Sequence, residues 1–201
     1  MKLRPENSVF INCPFDAQYA DLFDAIIFAT VCCGFVPRSA LESGTVAEPR
    51  ITRILDALCS SKYSIHDLSR CSGEGDEGLA RFNMPLELGM AMARRHLTRA
   101  KVKQQHDWLV LVPSGHGHLR FISDLGAFDP KTHDGSVDGV LQPVMVWLAS
   151  RPGAIRTPTF QEVRAILPSF QTKRRQLAAN WGGDVPWHLV LAAATDAVPK
   201  F

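Results

Sequence analysis

Short apolar runs alternate with helix-period segments along most of this chain, and that alternation restricts its possible folds more than any other feature. Residues 9–13 (VFINC) are closed by Pro14, and residues 108–112 (WLVLV) by Pro113. Runs this short, apolar throughout rather than at every second position, read as strands buried on both faces. Residues 35–39 and 62–66 are two further candidates. Between them, residues 17–33 carry Leu22, Phe23, Ile26, Ile27 and Thr30 at helical spacing, with Gly34 where the helix would close. Residues 51–59 and 83–96 follow the same period, as do 160–180 and 186–198. Residues 140–148 are apolar and read as a fifth strand, limited by Pro143, while 113–138 read as long loops with one short helix.

Strands joined through helices run parallel, with helices covering both faces. The expectation is therefore an α/β fold with a mostly parallel, roughly five-stranded sheet. It forms a single domain over residues 1–201, with 160–201 as a helical C-terminal extension. A net charge of +2 is too mild to argue for a nucleic-acid partner, and no apolar run approaches the ~18 residues of a membrane span. The N-terminus has charges but no apolar core of the signal-peptide kind. Five cysteines without a CxxC pair imply neither a disulfide framework nor a zinc ribbon, so a cytoplasmic location is expected. No metal is expected either: His116 and His118 lack a third ligand at useful spacing, and His133 is isolated.

Ligands of parallel sheets bind beyond the carboxyl ends of the strands. The first strand runs into Asn12, Cys13, Phe15 and Asp16, the second into Arg38 and Glu42, and the third into His66, Asp67 and Arg70. The helix from Asn83 adds Glu87, the only charged side chain between Met84 and Ala93. Asn83 suits an N-cap and Pro85 suits a first turn. Glu87 also reads plainly as an acid favouring the helix dipole, and His66-Asp67 as a turn.

These residues carry a resemblance. VFINCPFD is similar to the first strand and loop of TIR-like domains. DLSR, followed by a loop and RFNMPLELGMAMA, resembles the nucleoside 2-deoxyribosyltransferase superfamily. The likeness spans about the first half of the chain and centres on Glu87-Leu88-Gly89-Met90-Ala91; Met84-Pro85 stands where those transferases carry a small pair. It implies a flavodoxin-like three-layer fold and cleavage of an N-glycosidic bond, with NAD or a deoxynucleotide as substrate and no separate cofactor. Glu87 would be the nucleophile, and Asp67 would hold the sugar or base. Arg38 and Arg70, with Arg81 as a weaker candidate, would contact phosphate. Phe15 would stack on the base, and Asn12 or Asp16 would orient the sugar. His66, Asn83 and Met84 would complete the substrate wall, and a homo-oligomer is expected. The rival readings are a nucleotide sensor or TIR-like scaffold that leaves its ligand intact, and a regulatory partner anchored through Trp181, Trp187 and Phe201.

Overall fold

The first strand, β1 (Ser8–Asn12), is buried along its whole length and lies second in a five-stranded sheet. With β2 (Val36–Ser39), β3 (Tyr63–Asp67), β4 (Asp107–Pro113) and β5 (Lys131–His133), the order is β2-β1-β3-β4-β5 and every pairing is parallel. The computed structural model describes residues 3–42, 47–70, 82–98, 105–115, 117–120 and 122–199. Arg81, Cys71, His116 and Phe201 lie outside them.

Side chains of the central strands alternate between two apolar layers. Val9, Ile11, Ile65, Leu109 and Leu111 pack with α1 (Ala20–Cys32) and α4 (Val137–Ala149). On the other face, Phe10 meets Ile54 and Leu58 of α2 (Arg50–Cys59), while Val110 and Val112 meet Met84 and Leu88 of α3 (Asn83–Leu97). This is the three-layer flavodoxin-like arrangement. α1 ends as its sequence predicts: Gly34 has φ +88°, and a Cβ there would stand 2.1 Å from Ile155 Cγ1. The two C-terminal helices, α5 (Phe160–Trp181) and α6 (Trp187–Ala197), share the core of α1 through Val163, Leu167, Phe170 and Trp187. Among the described residues no helix is long and apolar enough to cross a membrane.

The fifth strand is not where the sequence put it. Residues 140–148 lie within α4, whose buried stripe is Val140, Leu141, Val144, Met145 and Leu148. That spacing is helical, and Pro143 is tolerated inside because packing outweighs one lost backbone hydrogen bond. The true β5 is Lys-Thr-His, two of its three side chains exposed. An edge strand of this kind is specified by its backbone pairing to Leu111–Pro113 rather than by hydrophobicity.

Candidate functional site at the carboxyl end of the sheet

The strand order reverses between β1 and β3, so the chain leaves their carboxyl ends in opposite directions, the place where ligands of parallel sheets ordinarily bind. Asn12 and Cys13 close β1; His66 and Asp67 close β3; α3 begins beside them. Asn12 ties the three elements together. Its Nδ2 donates to the Met84 carbonyl at 2.9 Å and to His66 Nδ1 at 3.0 Å, fixing the first turn of α3 against β1.

The assignment of Asn12 orders a buried chain. His66 Nδ1 accepts, so His66 Nε2 donates to Ser64 Oγ at 2.8 Å, and the same hydroxyl meets His106 Nε2 at 2.8 Å. His106 Nδ1 lies 3.0 Å from the Ser61 carbonyl and 2.8 Å from Arg94 Nη1, a group that can only donate. Burial, reinforced by the neighbouring His106, pushes His66 down to about 3, and burial followed by Arg94 pushes His106 down to about 4. Both imidazoles are structural and neutral.

On the α1 side, Asp67 is wholly buried and its two oxygens are taken. Tyr19 Oη donates to Oδ2 at 2.5 Å and Ser69 N–H to Oδ1 at 2.7 Å, with the Ser69 hydroxyl also on Oδ1. His133 Nε2 is 3.1 Å from Oδ2; the Gly135 N–H donates to His133 Nδ1, which leaves the ring proton on Nε2, facing Asp67. Asp67→Ala would strand these buried donors and is expected to lower stability by roughly 3–5 kcal/mol in urea denaturation, with Asp67→Asn costing less.

Glu87 differs from every other acid at this rim. It is 5% exposed, and among the described residues its carboxylate accepts no hydrogen bond. Burial raises it to about 7, opposed only in part by Arg50 at the start of α2. Cys13 is pushed well up by burial and then by Asp67, Glu87 and Asp16, so its thiol stays protonated.

No family model, curated protein or solved structure matches the chain. The site is therefore read from its own chemistry.

Several expected contacts fall elsewhere. Arg38 is engaged by Glu42 at 2.6 Å through Nε and by Ser60 Oγ at 3.1 Å through Nη1. His66 is 0% exposed with both ring nitrogens bonded to protein. Asp67 is likewise enclosed, because its position on β3 turns it under the Tyr19 loop. Met84 is core and contributes its carbonyl rather than its side chain. Asn83 is exposed but is the first helical residue, and the cap position belongs to Phe82 without a side-chain bond. Glu87 is fifth in α3 and outside the first turn, which removes the dipole explanation for it. Phe15 packs edge-on against Phe23 at 5.2 Å, on the α1 side. Asp16 and Arg70 do meet at the rim, at 3.3 Å, with Asp16 also capping Tyr19 N. Arg81 lies outside the described residues.

Ser69 and His133 are the residues of this network that sequence reasoning missed. His133 was the least accessible to it, since the strand carrying it has no hydrophobic signal. Among the described residues, no cluster of three or more His, Cys, Asp or Glu side chains is arranged to hold a metal ion.

Proposed function

We propose that the protein is an N-glycosidase acting on a nucleotide, NAD or a deoxynucleotide, with Glu87 placed beneath C1′ of the sugar. The observation that carries this reading is a buried carboxyl at the carboxyl end of a parallel sheet, without a hydrogen bond from any described residue and raised to about 7. Such a group is best satisfied by positive charge. Breaking an N-glycoside develops that charge at C1′, and a pyridinium nucleotide brings a cationic ring as well.

In the reaction, the C1′–N bond breaks and its electron pair leaves with the base. The ionised Glu87 stabilises or bonds to C1′; water or a second base then attacks that carbon, any C1′–O bond to Glu87 breaks with its electron pair returning to the carboxylate, and the acceptor loses a proton to solvent. Water makes the protein a hydrolase; a second base makes it a transferase. Arg70, its side chain 22% exposed at the rim, would contact phosphate. Asp67 acts as a positioning residue, holding Tyr19 and the start of the loop to α3.

Glu87→Gln is expected to reduce release of nicotinamide from NAD, or of base from deoxynucleotides, by roughly 10³-fold. Activity that survives the change removes Glu87 from this role. If the unaltered protein releases neither product, the reading fails. One observation favours a nucleotide sensor instead: Asp67 is fully engaged by protein, which leaves Glu87 without a second acid partner among the described residues. Calorimetry showing stoichiometric binding, with the nucleotide recovered intact, would establish that alternative.

A further inference from the structure

α3 is apolar on both sides. Its inner side, Met84, Leu88 and Ala91 with the acid Glu87, is buried. A helix whose other side meets water ordinarily carries charge there. α5 follows that rule, with Glu162, Arg164, Lys173 and Arg175 exposed. α3 does not. Phe82, Leu86, Gly89, Ala93 and Leu97 are exposed and recur at helical spacing, and the half-buried Met90 borders them. Between Phe82 and Ala93 this outer side has no charged residue, because the one acid of the stretch, Glu87, is buried.

The neighbouring helix extends the surface. Met90 packs into the cluster of Ile54, Ala57 and Leu58 on α2. Ile51 and Leu55 are exposed, each three residues before a buried member of that cluster, Ile54 and Leu58. Phe82 is 74% exposed, Leu86 56%, Leu97 82%, Ile51 42% and Leu55 37%. On the scale of about 200 Å² for a large apolar side chain, these five leave roughly 500 Å² open. Gly89 sits midway along α3. Among the described residues, a Cβ there would meet no atom within 4 Å outside its own helix backbone. Nothing in the chain therefore requires glycine at this position, although glycine weakens a helix interior relative to alanine. What a bare Cα does permit is close approach from outside, and Ala93, one turn on, continues the same shallow strip.

We propose that the outer side of α2 and α3 docks a second copy of this chain, the two α3 helices crossing at Gly89. Joined by a twofold axis, two copies would cover about 1,000 Å² of apolar surface before any polar rim is counted, which reaches the size of a specific interface. A twofold contact needs one patch that fits itself. Here the shallow strip at Gly89 and Ala93 receives large side chains from the second copy, and Leu86 and Leu97 flank that strip to supply them in return. The uncharged centre meets an identical one, so docking buries no unpaired charge there. The inference rests on the exposed side of α3 and not on its buried side, so it stands whether or not Glu87 cleaves an N-glycoside.

Sedimentation velocity of the full chain tests this. Over about 1 to 100 µM the protein is expected to reach twice its 22.2 kDa, with a dissociation constant in the micromolar range or below. Leu86→Glu places a charge in the contact and should weaken association at least about 100-fold. Gly89→Leu, which fills the crossing point, should do the same. Both positions are exposed within one chain, so both variants should keep its circular dichroism. Should Leu86→Glu not fold, Leu55→Glu on α2 takes its place. Val146→Glu, an exposed apolar site on α4 across the sheet, should leave the constant unchanged. A protein that stays monomeric at about 100 µM assigns the surface to a different partner and overturns the proposal. So does self-association that Leu86→Glu and Gly89→Leu leave intact, or that Val146→Glu weakens as much as they do.

Discussion

Glu87→Gln is expected to stabilise the protein by about 3 kcal/mol at pH 8 and to leave its stability unchanged near pH 4. The folded carboxyl is raised from its ordinary value of 4.5 to about 7, with burial as the first cause. Below pH 4.5 it is protonated in both folded and unfolded chains, and nothing is lost. Between 4.5 and 7 the folded state holds a proton that the unfolded state has released, so stability falls as pH rises through that window. At about 1.4 kcal/mol for each pH unit, the full penalty above pH 7 is about 3 kcal/mol, and glutamine does not carry it. Urea denaturation at a series of pH values measures it directly. A difference between the two proteins that is constant with pH would mean the carboxylate is solvated and would undercut its proposed role. If Glu87 is the nucleophile, the more stable protein should be the inactive one, and a cationic ligand should restore part of the lost stability in the unaltered chain.

The second large effect has the opposite pH signature. His66→Asn keeps an acceptor for Asn12 but loses the bond to Ser64, and should destabilise by roughly 3 kcal/mol at pH 7. That deficit should vanish towards pH 4. In the unaltered protein His66 falls from an ordinary 6.5 to about 3, so below pH 6.5 the unfolded chain takes up a proton that the folded chain refuses. Stability is therefore lost as pH falls, by about 1.4 kcal/mol per unit, and the asparagine variant escapes the loss. His106, pushed down to about 4, adds a second penalty of the same sign. Glu87 at about 7 and Asp24 at about 6 act against both histidines. The intact protein should consequently show a flatter profile between pH 4.5 and 6 than any variant lacking one of these four groups. A destabilisation by His66→Asn that is the same at pH 7 and pH 4 would contradict the buried relay.

Local patterns specified most of this architecture before any tertiary contact is considered. The runs around Val9–Ile11, Tyr63–Ile65 and Leu109–Val112 are strands because β-rich apolar segments of that length can be buried on both faces. Helical periodicity marked α1, α2, α3, α5 and α6 with ends close to those observed. Glu87 stood out because a lone acid in an apolar helical stretch has few structural reasons to be there.

Tertiary structure decided the rest. A three-residue edge strand became β5 through backbone pairing alone, and the apolar run after it became α4 because its stripe found α1. Asp67, Arg38 and His66 are engaged by partners 2 to 66 positions away in the chain, Ser64, Glu42, Ser60, Tyr19, Asn12 and His133 among them. Periodicity tells which face of an element is buried, since it depends only on neighbours along the chain. Which polar groups meet there depends on contacts between distant segments, and these exist only once the sheet has closed.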